Sequence, residues 1–249
     1  MNINYNFKDK RFVVTGATSG IGKRVASDLA KSGAIVLAIG RRQEKLSELK
    51  ELYGDKIVTA PLDVNNFVLL KSALESFSES GKINGSLHAA GINKYTPLRA
   101  FNWTDADNIL RTSLNAGIEM TRILTSKKIT SEKGSHVFIS SVAGIKGELG
   151  FTAYSAAKAA VIGAVRSMAL ELAIKDIRVN AITPGWLPTE MTDSIEARYP
   201  GRLETIKLQH PLGIGSVEDV SNLVLFLLSD EAKWITGTNI VIDGGYSIR

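Results

Sequence analysis

The segment Thr15-Gly16-Ala17-Thr18-Ser19-Gly20-Ile21-Gly22 lies between an apolar run at 11–14 and an amphipathic stretch at 21–32. No other feature constrains the fold as much. Glycine reaches backbone conformations closed to other residues and lets a second group approach the main chain closely. Between a strand and a helix, glycines allow a tight turn and leave the N–H groups of the first helical turn free to meet a phosphate. The segment therefore reads as a dinucleotide-binding turn shaped by Gly16, Gly20 and Gly22, with Thr18, Ser19 and Ile21 as its other cofactor-facing residues. Glycines also make ordinary βα loops, and the spacing Thr-Gly-x-x-x-Gly-x-Gly departs from the common G-x-G-x-x-G form.

Strand-like runs at 11–14, 35–39, 57–61, 85–89, 135–140, 177–182 and 239–242 alternate with helical stretches at 21–32, 42–53, 66–80, 105–126, 152–175 and 217–229. Such alternation implies an α/β fold, a doubly wound parallel sheet of about seven strands with helices on both faces. No Pro- or Ser-rich linker, repeat or low-complexity segment interrupts the chain, so 1–249 reads as one domain.

Several chemistries are excluded early. With no cysteine and three scattered histidines, disulfides, thiolate chemistry and a zinc centre are not expected. The net charge of +5 is dispersed rather than gathered into a stripe, so no nucleic-acid partner is expected either. No apolar run is long enough to span a bilayer, and the first residues lack the apolar core of a signal peptide. The expectation is a cytoplasmic protein with no membrane partner.

Tyr154 and Lys158 are four apart in a helical stretch and so share a face. A free phenol titrates at about 10, too high for efficient acid-base work at neutral pH. A neighbouring ammonium stabilises the phenolate and lowers that value. Alone, the pair also fits an ordinary surface helix. Cofactor choice turns on Ala38-Ile39-Gly40-Arg41-Arg42 at the end of the second strand. An acidic residue there binds the ribose 2′-hydroxyl of NAD, whereas arginine accommodates a 2′-phosphate. Gly40 replaces the acid, and the planar guanidinium donors of Arg41 and Arg42 match phosphate oxygens, so NADP(H) is the expected cofactor.

Over essentially its whole length the chain resembles the short-chain dehydrogenase/reductase family. The resemblance is carried by the glycine segment, Asp63-Val64, Ala89-Ala90-Gly91, Ser140-Ser141, Tyr154/Lys158, 178–185 with Pro184-Gly185, 235–237 and Asp243-Gly244-Gly245, in the family's order. It implies a Rossmann-type fold and a hydride-transferring oxidoreductase acting on a small carbonyl or alcohol substrate. Ser141 would position the substrate oxygen, Tyr154 exchange its proton, and Lys158 lower the tyrosine pKa and hold the nicotinamide ribose. Asp63 and Val64 would lie near the adenine, Ala90 and Gly91 beside the cofactor, and Pro184, Gly185 and Thr189 around the nicotinamide. Ser141 and Asp63 are also residues that cap turns, and Ser140 is the alternative hydroxyl.

Two departures stand out. Ser113 occupies the position of the family's frequent catalytic asparagine, and Asn115 lies two residues on, about 200° around a regular helix, so either Ser113 serves less directly or the helix is irregular. His88 replaces the first residue of the common Asn-Asn-Ala-Gly segment and reads as a structural hydrogen-bonding substitute. Walls of a substrate pocket are expected at 92–98, 144–151 and in a lid at 186–210, with Lys94, Lys146, Arg198 and Arg202 as candidate anion contacts. The pattern is most like 3-oxoacyl-acyl-carrier-protein reductases, which points to a 3-oxoacyl thioester. A sugar, polyol or secondary-metabolite reductase shares the same motifs, as does a non-catalytic NADP-binding regulatory protein. The alanine-rich helix at 152–175 is apolar over much of its surface, and with the resemblance it implies a homo-oligomer, a tetramer.

Overall fold

The computed structural model describes residues 5–190, Thr192 and 201–248. Seven strands form one parallel sheet in the order β3-β2-β1-β4-β5-β6-β7. They are β1 Arg11–Thr15, β2 Ile35–Gly40, β3 Ile57–Pro61, β4 Ile83–His88, β5 Thr130–Ile139, β6 Ile177–Pro184 and β7 Asn239–Ile242. The fold is the α/β, Rossmann-type, doubly wound parallel sheet that the sequence predicts.

Apolar residues on successive positions of the inner strands serve opposite faces, as the two-residue period of a strand requires. On one face Phe12, Val14, Val36 and Ala38 pack with α1 (Gly20–Lys31), α2 (Gln43–Tyr53) and the helix Val217–Leu228, here α8. On the other, Val13, Leu37 and Ile39 meet α3 (Phe67–Glu79) and α5 (Ala116–Leu124). Phe138, Val179 and Ala181 pack there against α6 (Thr152–Ala173). Leu29 and Leu74 are fully buried on opposite faces. Truncating either to alanine costs about 2–5 kcal/mol.

The helix start signals work locally. Asn66 caps α3 by accepting from Leu69 N–H, and Ser216 with Asp219 forms a capping box at α8. The helix expected at 105–126 is divided: α4 (Trp103–Leu110) leads into a π turn, Arg111–Asn115, before α5. A short helix, α7 (Arg202–Leu208), lies in the segment expected as a lid. Residue 191 and residues 193–200 of that segment, Arg198 among them, lie outside the described residues.

Strand order reverses direction between β1 and β4, whose pairing ends with Thr15 opposite His88. Loops leaving these strands diverge to opposite faces and open a crevice at the carboxyl ends, the place where such sheets bind ligands. Every sequence-predicted site residue except Ser113 lines that crevice, and Ser113's own turn reaches it through Thr112.

Candidate active site

The crevice has a volume of about 670 Å³. One end is bounded by the glycine turn, Arg41 and Arg42, and Asp63 and Val64. The middle is bounded by Ala90, Gly91, Pro184, Gly185 and Thr189, and the other end by Ser141, Tyr154 and Lys158.

The glycine turn is built by exclusion. Gly16 has φ +70°, and a Cβ there would stand 2.8 Å from the Ala90 nitrogen. A Cβ on Gly22 would stand 2.3 Å from the Gly16 carbonyl oxygen. Ser19, the N-cap of α1, makes no side-chain cap bond, and the first turn carries no acidic residue. Uncapped N–H groups without a carboxylate form a seat for an anion. This cradle fits the diphosphate of a dinucleotide, with Gly16, Thr18, Ser19, Gly20, Ile21 and Gly22 to hold it.

At the β2 end, a Cβ on Gly40 would approach the Thr18 methyl to 2.5 Å, so an acidic side chain has no room there while Thr18 stays in place. Thr18 is held by Arg42, whose Nε and Nη2 donate to its Oγ1 at 3.3 and 3.2 Å. The same guanidinium pairs with Glu190 across 2.7 Å, tying the start of the lid segment to the rim. Glu190 eluded sequence reading because the pair joins residues 148 apart in the chain. Arg41 is exposed and makes no hydrogen bond or ion pair among the described residues. Asp63 both lines the crevice and accepts from Asn65 N–H at 2.8 Å, so its capping and site positions coincide.

The two candidate serines separate cleanly. Ser140 Oγ is buried and donates to the Lys158 carbonyl at 2.8 Å. Ser141 faces the crevice, accepts from Ala143 N–H at 3.2 Å, and hydrogen-bonds to Tyr154 in the sense that favours phenolate. Burial nevertheless dominates and pushes the Tyr154 hydroxyl above its ordinary value. Lys158 does not reverse this: its ammonium donates to the Ile139 carbonyl at 2.7 Å, and its Nζ stands 5.6 Å from the Tyr154 ring centroid. Desolvation raises the phenol and the Ser141 bond alone opposes it, so the lowering expected from the Tyr-x-x-x-Lys spacing does not act in this state. Lys158 itself is buried and falls to about 8, again through desolvation.

Ser113 is fully buried, and its Oγ has no hydrogen-bond partner among the described residues. It lies behind Gly91 rather than on the crevice wall: a Cβ on Gly91 would be 3.5 Å from both Ser113 Oγ and Lys158 Nζ. Asn115 is exposed. The helix is irregular at this point, as one of the two readings holds.

The expected substrate walls converge. Phe151 makes edge contacts with Tyr95 and Tyr154, with ring centroids 5.7 and 6.1 Å apart. Ile92, Asn93, Glu148, Trp186 and Leu187 complete this end. Glu148 accepts from the Tyr246 hydroxyl, a contact between a loop and the chain's far end that spacing does not reveal. Two candidate anion contacts are otherwise engaged. Lys94 pairs with Asp105 at 2.6 Å, and Lys146 lies over the Tyr246 ring while donating to its carbonyl at 3.1 Å. No metal-holding group of His, Asp or Glu occurs among the described residues, and no helix among them is long and apolar enough to cross a membrane.

Comparison with known proteins agrees with this geometry. The family described as Enoyl-(Acyl carrier protein) reductase matches residues 16–247. The chain is 37% identical over 241 residues to the 3-oxoacyl-acyl-carrier-protein reductase FabG of Thermotoga maritima, covering 95% of this chain and 97% of that protein. It is 31% identical to the protein of that name from Escherichia coli, covering 96% and 98%. It is 32% identical to Nodulation protein G of Rhizobium sp., covering 98% and 99%. With its sheet, glycine turn and Ser-Tyr-Lys arrangement, the chain belongs to the short-chain dehydrogenase/reductase family and is an NAD(P)-dependent oxidoreductase.

Proposed function

We propose that this protein is an NADPH-dependent reductase of ketones or aldehydes, with a 3-oxoacyl thioester as its first substrate class. The observation that carries the reading is one crevice with an anion-binding glycine turn and arginine rim at one end and Ser141, Tyr154 and Lys158 at the other. The similarity to proteins named 3-oxoacyl-acyl-carrier-protein reductase supports the substrate class.

Bound NADPH supplies the hydride that reduces the carbonyl carbon. Tyr154, kept protonated by its buried setting, donates its proton to the oxygen as negative charge develops there. Ser141 holds that oxygen in line with the phenol. Lys158 places positive charge beside the same reaction centre and contributes to holding the ribose. Arg41 and Arg42 would receive the 2′-phosphate, Asp63 and Val64 would lie by the adenine, and Pro184, Gly185 and Thr189 by the nicotinamide. Trp186, Leu187 and Thr189 border the substrate end.

Glu148 favours a second substrate class. A carboxylate in the substrate end accepts hydrogen bonds from hydroxyl groups, which suits a keto-sugar or polyol. Cofactor oxidation across 3-oxoacyl thioesters, keto-sugars and simple diketones, with NADPH and NADH in parallel, separates the readings. Turnover of the thioesters with NADPH supports the first, and keto-sugar preference supports the second. Cofactor binding without oxidation of any carbonyl rejects both.

The protein is further proposed to be a cytoplasmic homotetramer. Ala156, Ala159, Gly163 and Leu170 form an exposed, small or apolar face of α6, and Ile174 and Trp234 are more than nine-tenths exposed. Covering such surface against a second copy supplies the hydrophobic stabilisation of assembly.

A further inference from the structure

We propose that His88 is a positioning residue that pins the π turn carrying Ser113 and thereby sets the surroundings of Lys158. The inference rests on the catalytic reading of Lys158 given above.

His88 ends β4 directly opposite the end of β1 and is buried. Its Nε2 lies 3.1 Å from the Thr112 carbonyl oxygen, which only accepts, so Nε2 carries the proton. Nδ1 must then accept, and the Thr15 hydroxyl donates to it across 2.9 Å. Thr15 Oγ1 accepts in turn from Ala90 N–H at 3.2 Å. The bonds run in one direction, from Ala90 through Thr15 and the neutral imidazole to Thr112. One side chain thus ties together the end of β1, the loop after β4 and the π turn. Burial and the nearby Lys158 charge keep it neutral by lowering its pKa to about 4, so the tautomer is fixed through the physiological range.

A π turn is a rare departure from the α-helical ladder and persists where surrounding bonds hold it. Thr112 is held twice, by His88 at its carbonyl and by Asn65 Nδ2, which donates to its Oγ1 at 2.8 Å. The next residue, Ser113, is turned fully inward, and its Oγ and Lys158 Nζ converge on the face of Gly91. Helix α5 also makes room for the imidazole. A Cβ on Gly117 would stand 2.7 Å from His88 Cδ2 and 2.5 Å from Phe138 Cε1. Gly117 and His88 are therefore a matched pair, and an alanine at 117 would displace the ring from Thr112.

The test uses the full-length protein and two independent readouts. The first is amide hydrogen exchange in peptides covering 108–118, compared among wild type, His88→Ala, His88→Asn, Gly117→Ala and His136→Ala. His136 is a second buried imidazole, bonded to Ser86 and not to the π turn, so its variant controls for general loosening. Exchange in that segment is expected to rise about tenfold beyond the global change in His88→Ala and Gly117→Ala, and not in His136→Ala. His88→Asn, whose amide can still donate, recovers part of the protection. The second readout is kinetic: His88→Ala lowers kcat about 10- to 100-fold while the dinucleotide Kd stays within about twofold, as expected for misplacement of a reacting group. In a Ser113→Ala background the further loss is small, because the two residues act in series. Unchanged exchange at 108–118, an equal rise in His88→Ala and His136→Ala, or additive kinetic losses would overturn the proposal. Absence of wild-type turnover would count against the functional reading alone, and the exchange result would still decide the role of His88.

Discussion

Lys158 Nζ lies 5.6 Å from the Tyr154 ring centroid while it donates to the Ile139 carbonyl at 2.7 Å. The ammonium is thus held by the strand end beneath the crevice rather than by the phenol. Its desolvated pKa of about 8 gives the reaction a pH limb. A lysine with a lowered pKa loses its charge earlier as pH rises. The account predicts that kcat/KM for carbonyl reduction is level below about pH 7 and falls as pH rises through about 8. Lys158→Arg, which keeps its charge, removes that limb even if its rate is low. A wild-type profile flat to pH 10 would contradict the assignment.

The proposed NADPH preference rests on Arg41 and on Arg42, which meets Glu190 and Thr18. Arg41→Ala is expected to erase at least about tenfold of the NADPH-over-NADH preference, the value of one good charge-assisted bond. Glu190→Gln frees Arg42 for the 2′-phosphate and tightens NADPH binding several-fold with NADH unchanged. Fluorescence titration with both cofactors checks this, and equal effects on the two would reject it.

His88 and His136 are both buried and lowered to about 4, chiefly by desolvation. The unfolded chain binds more protons than the folded one between about 4 and the ordinary value of 6.5. Stability is therefore full above about pH 6.5 and falls as pH drops toward 4, by a few kcal/mol over the window. Denaturant midpoints at pH 7.5, 5.5 and 4.5 measure this, and His136→Asn should flatten the slope. A midpoint that rises on acidification would show the sign to be wrong.

Assembly through α6 predicts a four-chain mass by light scattering and a smaller species for Leu170→Glu, which places a charge on the exposed apolar face. A wild-type monomer at working concentration would remove the assembly proposal.

The sheet was legible because strands such as β1 and β2 are apolar runs bounded by turns and helices such as α1 and α2 keep a polar face. The dinucleotide turn was legible because its glycines are contiguous and follow β1 directly. The π turn was only half legible: the displaced asparagine signalled an irregular helix, but the Thr112 carbonyl that anchors it meets His88, 24 residues away in the chain. Arg42–Glu190 and Tyr246–Glu148 were hidden for the same reason, since such pairs arise only when the sheet brings distant loops together. The shift of Tyr154 ran opposite to expectation because helical spacing reports shared faces and is silent on desolvation.

Tyr154 is proposed to supply the proton in carbonyl reduction. Its most direct test is NADPH oxidation by wild type and Tyr154→Phe on the best carbonyl of the panel, with NADPH affinity measured for both. Unchanged affinity is expected, with a kcat lower by about 100- to 10,000-fold, the range of general acid catalysis. Retention of most of the wild-type rate by the phenylalanine variant would contradict it.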